Sequence, residues 1–318
     1  MKKIYMSENE QKVREVFGTN ERVYTKNDII NNPEEFKNTE FIFSTWGMSV
    51  FKQEEVKSLL PNLKAIFYGA GSVQYFAEPF IKSGVKVFSA WAANAVPVAE
   101  YTVAQIILSN KGFFKTMRYK DRAEALATAH KFKGNYNLKI GIIGAGMIGK
   151  LVIKMLKGYN LEVLVFDPFL PDDTALELGV KKVSLETVFK ECQVVSNHLA
   201  NNAETKGMLN GALFEKMLPY ATFINTGRGA QVIEKELIST LKARPDLTAL
   251  LDVTFPEPPE KDSELYTLEN CILTPHIAGS FGNELQRMAS YMEAEYKNFL
   301  ENKPCKYEVT EEMLKTMA

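Results

Sequence analysis

Three glycines in the run Leu138-Lys139-Ile140-Gly141-Ile142-Ile143-Gly144-Ala145-Gly146-Met147-Ile148-Gly149-Lys150 fall at the G-x-G-x-x-G spacing, between an apolar run and a helical pattern of Leu151, Val152, Met155 and Leu156. At that spacing each glycine has its own task. Gly144 makes a tight turn off a strand, Gly146 lets the backbone approach a pyrophosphate, and Gly149 lets the helix pack closely on the sheet. The helix N-terminus then offers free N–H groups and the positive end of its dipole to the phosphates. A second apolar run, Glu162-Val163-Leu164-Val165-Phe166, ends in Asp167 about 20 residues on, where a carboxylate would bind the adenosine ribose hydroxyls and repel a 2′-phosphate. The pattern predicts a dinucleotide site that prefers NAD to NADP.

Further along, four polar residues stand where apolar runs end. They are Arg228 in Asn225-Thr226-Gly227-Arg228-Gly229, Asp252 after Leu247–Leu251, Glu257 in Pro256-Glu257-Pro258-Pro259, and His276 in Thr274-Pro275-His276-Ile277-Ala278-Gly279. Taken singly each has a plainer reading. His276 could be a turn histidine bonded to backbone, Arg228 a surface ion-pair partner and Glu257 a solvated loop charge.

The elements that must position these residues follow from alternation. Short apolar runs at 3–6, 41–43, 63–67 and 85–88 are separated by amphipathic segments. Ser7 and Glu10 read as a capping box for a helix that Gly18 ends. The segment 53–60 reads as a helix stopped at Pro61. Apolar residues at helical spacing from Val96 to Leu108, with Pro97 in the first turn, predict another helix. A polar helical stretch after Gly112 reaches about Lys131 and leads into the glycine-rich strand. Beyond Asp167, runs at 180–183, 193–199, 221–225, 247–253 and 271–274 continue the pattern, with a helix capped by Ser184 among them. Five or six such strands complete one dinucleotide-binding sheet. A last helix from Gly282 is expected to pack back on the N-terminal part.

Strands alternating with helices imply parallel sheets covered on both faces, with ligands at the carboxyl ends of the strands. Two early loops stand at such ends: Ser44-Thr45-Trp46-Gly47 and Tyr68-Gly69-Ala70-Gly71-Ser72. In the second, backbone N–H groups could converge on a carboxylate. A plain turn is the equal alternative.

The 318 residues allow two domains, each with its own core. With 46% apolar and 24% charged residues and a net charge of −1, the chain offers no electrostatic footprint for nucleic acid or an anionic membrane. Cys192, Cys271 and Cys305 are far apart and lack C-x-x-C spacing, so neither a disulfide framework nor a metal site is indicated. Reduced thiols fit a cytoplasmic protein. The basic start Met1-Lys2-Lys3 reaches Ser7-Glu8-Asn9-Glu10 before an apolar stretch builds, which argues against a signal peptide. No run of about 20 apolar residues occurs that would span a membrane.

Taken together, GAGMIG (144–149), Asp167, HLANNAETKGML (198–209), INTGRGAQV (224–232), LDVTFPEPP (251–259) and TPHIAGS (274–280) resemble the D-isomer-specific 2-hydroxyacid dehydrogenases over nearly the whole chain. The resemblance implies an α/β architecture of two doubly wound parallel-sheet domains. A Rossmann-type NAD-binding domain (97–283) would be inserted in a flavodoxin-like substrate domain (1–96 plus 284–318). It also implies Arg228, Glu257 and His276 as catalytic residues. Cofactor contacts would come from Gly144, Ala145, Gly146, Met147, Ile148, Gly149, Asp167, His198, Leu199, Ala200, Thr205, Thr226, Gly227, Arg228, Asp252, His276, Ala278 and Gly279. Substrate contacts would come from Trp46, Ala70, Gly71, Arg228 and His276, and the protein would be a homodimer.

The chemistry explains the residue types. Reducing a 2-keto acid needs a hydride from the nicotinamide and a proton at the carbonyl oxygen, and a group titrating near neutrality can deliver that proton and take it back. His276 fits that role, with Glu257 to orient the ring. Arg228 offers a planar fork for the substrate carboxylate. His198 reads as cofactor-adjacent or structural, His130 as a surface residue, and Asp252 as an anchor on the nicotinamide side.

Two departures from the family bear on the substrate. Ala200-Asn201-Asn202-Ala203 stands where a Leu-Thr pair is common, and Val73 stands where an Asp usually follows the G-x-G turn. Trp46, Tyr68 and Tyr75 could line the acyl pocket. The leading expectation is a D-2-hydroxy acid dehydrogenase. A phosphoglycerate dehydrogenase-like enzyme and an NAD-sensing co-repressor without turnover are the alternatives. Formate dehydrogenases share the fold but lack the acid at the position of Glu257.

Overall fold

The computed structural model describes residues 2–315. Thirteen strands are found among them: β1 (Lys2–Met6), β2 (Val23–Tyr24), β3 (Thr39–Ser44), β4 (Ala65–Tyr68), β5 (Lys86–Ser89), β6 (Tyr136–Ile143), β7 (Asn160–Phe166), β8 (Lys181–Lys182), β9 (Val194–Asn197), β10 (Thr222–Asn225), β11 (Thr248–Leu251), β12 (Cys271–Leu273) and β13 (Glu308–Val309). They form two separate sheets. Residues up to Asn94 together with those from Ser280 onward make one compact unit, and Ala95–Gly279 make the other.

In the first unit the strand order is β13-β5-β4-β3-β1-β2, parallel except for β13, which runs antiparallel to β5. Without β13 this is the order 2-1-3-4-5 of flavodoxin-like sheets. Apolar clusters cover both faces. Phe36, Phe51, Phe76 and Phe80 lie in one, and Phe41, Phe43, Phe67 and Phe88 in the other, beneath the helix Leu285–Leu300.

In the second unit the order is β12-β11-β10-β9-β6-β7-β8, all parallel. The order reverses between β6 and β9, which creates the crevice where doubly wound sheets bind ligands. Continuous runs such as Ile140–Ile143 and Val163–Val165 are nearly all buried, as strands sandwiched between two helical layers must be.

Several local expectations are corrected. The first helix, Glu10–Phe17, is capped by Asn9, whose side chain accepts Lys12 N–H. Ser7 is unavailable for the expected capping box because its hydroxyl bonds Trp46 O and Asn9 N. The helix expected from Val96 starts at Trp91 and runs to Asn110, so Pro97 lies inside it and leaves the Ala93 carbonyl without its helical donor. The polar stretch after Gly112 is two short helices, Phe113–Thr116 and Arg122–Ala129. All seven apolar runs from 138 onward, those at 180–183 and 271–274 included, are strands of the second sheet, one or two more than the five or six expected to complete it.

Candidate active site

Because the strands of the second unit are parallel, the loops after β6, β7, β9, β10, β11 and β12 all leave from one edge. The glycine turn and Asp167 lie on one side of the switch point, and Arg228, Asp252 and His276 lie on the other.

The glycine turn has little freedom. Gly144 sits at φ +88°, and a Cβ there would stand 2.6 Å from the His198 carbonyl oxygen. One on Gly149 would stand 2.1 Å from the Gly144 carbonyl, so a side chain at either position would force backbone apart. At Gly146 a Cβ would meet nothing within 4 Å, which leaves open space at the start of the helix Met147–Leu156. That helix has no side-chain cap, so its first N–H groups are left for an anion. Asp167 completes the rim: Oδ2 accepts Ala145 N–H at 2.7 Å and Oδ1 accepts Phe169 N–H at 2.8 Å. A dinucleotide with its pyrophosphate over Gly146 and its ribose beside Asp167 fits this cradle.

Across the switch point, Nδ1 of His276 lies 2.5 Å from Oε1 of Glu257. Nε2 has no protein partner among the described residues, and the imidazole is about half exposed. His276 holds φ +55°, a left-handed conformation that costs an L residue roughly 1–2 kcal/mol. Asp252 offsets that cost. Its carbonyl accepts His276 N–H, Oδ1 accepts the Thr274 hydroxyl and Ile277 N–H, and Oδ2 accepts Ala278 N–H. The carboxylate is buried and spends its acceptors on the histidine loop.

The arginine loop is held from below. Asn197, Asn225 and Gln231 are buried carboxamides at the ends of β9 and β10 and in the turn beyond. Asn197 Nδ2 donates to Asn225 Oδ1 and Gln231 Oε1, and Gln231 Nε2 donates to the Leu199 and Ala200 carbonyls. Asn225 Oδ1 in turn accepts Gly227 N–H. The Arg228 guanidinium donates one bond, to the Gly227 carbonyl, which leaves most of its fork unused. Burial lowers its pKa and the Glu257 carboxylate opposes that, so the cation is retained. Gly229 packs on the loop that carries Glu257: a Cβ there would lie 2.0 Å from the Thr254 carbonyl carbon. Glu234, at the start of the helix Glu234–Ala243, is raised in pKa by burial.

The sequence reading did not single out Asn197, Gln231 or Glu234. Asn197 alone gave a signal, a polar residue at the end of an otherwise apolar strand; Gln231 lies in a turn and Glu234 starts a helix.

Other candidates have their side chains committed. His198 is buried with Nε2 on Ser196 Oγ at 2.9 Å and Nδ1 unpaired, and burial pushes its pKa down to about 3. It stays neutral at ordinary pH, keeping a single ring proton and not taking the second. The Thr205 hydroxyl closes its own turn on the Ala200 carbonyl, and that of Thr226 faces Thr102. His130 is exposed at the end of a helix. Burial also pushes the free thiols of Cys192 and Cys271 up to about 12, which makes them inert. Among the described residues no group of acids, histidines and cysteines could hold a metal, and no helix is long and apolar enough to cross a membrane.

Trp46, Ala70 and Gly71 belong to the first unit. Gly69 N–H donates to Ser44 O, and the Thr45 hydroxyl donates to Gly69 O, so the loops after β3 and β4 are joined. Ser89 Oγ is within bonding distance of the Ala70 and Gly71 carbonyls. Among the described residues the N–H groups of Ala70, Gly71, Ser72 and Val73 make no hydrogen bond. Val73, in place of the family's acid, is fully buried.

A doubly wound sheet with a glycine cradle on one side of its switch point and a histidine–carboxylate pair on the other is the arrangement of a nucleotide-binding domain. Residues 104–278 match the family model described as the D-isomer specific 2-hydroxyacid dehydrogenase, NAD binding domain, which covers more than half of the chain. The chain therefore belongs to that family, and its cofactor is NAD.

Among its relatives, YoaD of Bacillus subtilis, named as a 2-hydroxyacid dehydrogenase, is 35% identical over 63% of this chain and 59% of its own length. The D-3-phosphoglycerate dehydrogenase of Archaeoglobus fulgidus is 32% identical over 71% of this chain and 43% of its own. The chain thus spans only about half the length of these two relatives. The NAD-complexed D-isomer specific 2-hydroxyacid dehydrogenase of Lactobacillus delbrueckii ssp. bulgaricus superposes with a TM-score of 0.78 over 97% of this chain and 100% of its own. At 19% identity that likeness establishes the fold alone.

Proposed function

We propose that the protein interconverts a D-2-hydroxy acid and its 2-oxo acid, with His276 as general acid and base. The observation that carries this reading is the His276–Glu257 pair. One ring nitrogen is held by a carboxylate, the other is free, and the loop is locked by a buried aspartate.

The cofactor, when bound, would supply the hydride to C2 as NADH in reduction and accept it as the oxidised form in the reverse direction. In reduction, Nε2 of His276 gives its proton to the carbonyl oxygen, and in oxidation it takes the hydroxyl proton. Glu257 holds the ring in the required orientation and balances the charge of the imidazolium. The unused guanidinium donors of Arg228 bind the substrate carboxylate and polarise the neighbouring carbonyl. The cofactor is read as held by Gly144–Gly149 and Asp167 and by main chain at 198–200, 226–227 and 278–279. Trp46 and the N–H groups of Ala70 and Gly71 are read as further substrate contacts.

The test is NADH oxidation across a panel of 2-oxo acids. Wild type should turn over at least one of them, and His276→Ala and Arg228→Ala should lose turnover while NADH still binds. Full turnover by the His276 variant would remove the acid–base assignment. A homodimer is inferred from the family together with exposed Phe113, Met117, Tyr119 and Leu126 on one short stretch, and light scattering checks it. A cytoplasmic location is inferred from the free thiols.

A further inference from the structure

We infer that the carboxyl edge of the first unit's sheet receives the side chain of a 2-oxo acid that is large and uncharged, aromatic or branched aliphatic, and that a substrate with a second anionic group is disfavoured. The inference rests on the hydride-transfer reading above and narrows it to a substrate class.

Two unsatisfied features lie side by side on this edge. One is the row of unpaired N–H groups from Ala70 to Val73, in a stretch where Ala70 and Val73 are fully buried. Buried donors without partners call for an acceptor, and a carboxylate supplies several lone pairs at once. The other is aromatic. Tyr75, 47% exposed, belongs to the same loop, and Trp46, 36% exposed, belongs to the loop bonded to it.

Tyr75 is exposed yet fixed. Its hydroxyl lies 3.2 Å from that of Tyr68, and its ring meets Phe76 edge-on at 5.0 Å. Burial raises both phenols, so the pair stays neutral and does not repel a carboxylate. Exposed aromatic faces held rigid in this way bind apolar groups with little loss of side-chain freedom. A molecule that carries a carboxylate at one end and a large apolar group two or more carbons away satisfies both features.

The charges nearby argue against a second anion. The loops 45–49 and 69–76 contain neither lysine nor arginine. Lys12, whose ammonium sits 5.8 Å from the Trp46 ring, is paired with Glu15 at 2.6 Å. The adjoining loop after β1 contributes an acid, Glu8, which accepts the Ser49 hydroxyl. A phosphate or sulfonate directed here would meet a carboxylate and no unpaired cation from these loops.

The experiment measures kcat and KM with NADH for phenylpyruvate, 4-methyl-2-oxopentanoate, glyoxylate and 3-phosphohydroxypyruvate. Wild type, Trp46→Ala, Tyr75→Ala and Tyr75→Phe are compared. Wild type should favour the first two over the phosphorylated acid by about tenfold or more in kcat/KM. Trp46→Ala and Tyr75→Ala should lower the phenylpyruvate-to-glyoxylate ratio by about tenfold, chiefly through KM, the size expected for one lost apolar contact. Tyr75→Phe keeps the ring and should keep most of the ratio.

Preference of wild type for the phosphorylated acid or for glyoxylate would overturn the inference while leaving the dehydrogenase reading intact. So would ratios unmoved in both alanine variants with wild-type melting temperatures. If no 2-oxo acid is reduced although NADH binds, the dehydrogenase reading fails first and the inference falls with it.

Discussion

The two sheets of this protein are both doubly wound and mostly parallel, yet their carboxyl edges are built differently. In the second unit the loops are locked from within by buried polar side chains: Asn197, Asn225 and Gln231 under Arg228, and Asp252 under His276. In the first unit hydroxyls and main chain join the loops, and what they present is a row of N–H groups flanked by aromatic rings. The difference matches the two tasks proposed for these edges. Moving a proton at a defined atom requires donors and acceptors fixed by a rigid supporting shell, whereas recognising an acid's side chain requires shape and unsatisfied surface. A shared architecture does not decide which edge does which; the side chains there do.

The comparison is broken most severely at His276. Replacing it with alanine should cut kcat/KM for the best 2-oxo acid by about a hundredfold to ten-thousandfold, the range that a positioned general acid contributes. NADH affinity, read by fluorescence titration, should survive. Alanine substitutions on the first unit's edge should cost far less and act through KM. If Trp46→Ala matched the loss at His276 in kcat, the division of labour between the edges would be wrong.

A second contrast uses a buried carboxylate in each unit. Asp252 holds the histidine loop, and Glu295 accepts Lys306 and Tyr307 N–H at 2.8 and 3.1 Å, pinning the chain that leads into β13. Asp252→Asn removes acceptors from the loop and should lower kcat by tenfold or more, at a stability loss of about 1–3 kcal/mol. Glu295→Gln should lose similar stability with kcat unchanged. Urea unfolding and steady-state kinetics on both variants separate the two roles. A normal kcat in the Asp252 variant would mean that the histidine loop keeps its strained backbone unaided.

Glycines sharpen the contrast further. A Cβ at Gly229 would strike the Thr254 main chain at 2.0 Å, whereas one at Gly69 would meet the Phe17 and Val16 side chains at 2.8 and 2.9 Å. Side chains can turn aside, but main chain must move. Gly229→Ala should therefore be the more destabilising, by about 3 kcal/mol or more, and Gly69→Ala by about 1 kcal/mol. Thermal unfolding ranks them. Equal effects would show that the Arg228 and Glu257 loops are less tightly locked than these distances imply.

Much of this was legible in the sequence, for a physical reason. Gly144 and Gly149 each answer a constraint of the backbone, and such constraints are written in residue type. Asp167, Arg228 and His276 end long apolar runs, so periodicity alone puts them at one edge. What stayed hidden depends on tertiary partners. Two-residue strands such as β2 and β13 have no period to detect. Ser7 looked like a helix cap until Trp46, far along the chain, took its hydroxyl. Gln231 in isolation is an ordinary polar residue. Only the fold brings Asn197 and the Leu199 carbonyl within its reach.

The smallest effect at neutral pH is expected at His198, and its sign follows from linkage. Burial without a partner for Nδ1 holds the folded-state pKa at about 3, against 6.5 for the unfolded chain. Between those values the unfolded state binds a proton that the folded state refuses. The stability contributed is therefore complete above pH 6.5 and is lost as pH falls toward 3, by at most about 1.4 kcal/mol per pH unit. His198→Gln lacks this titration. At pH 7 it should cost about 1 kcal/mol through the Ser196 bond, and the gap from wild type should close and then reverse on acidification. The window from pH 6.5 to about 5.5 isolates the term, because carboxylates with an ordinary pKa of 4.5 bind few protons there. Chemical unfolding at three or four pH values in that window gives the difference directly. A gap that does not change with pH would mean that the end of β9 opens to water, and the locked edge of the second unit would then be no more rigid than the open edge of the first.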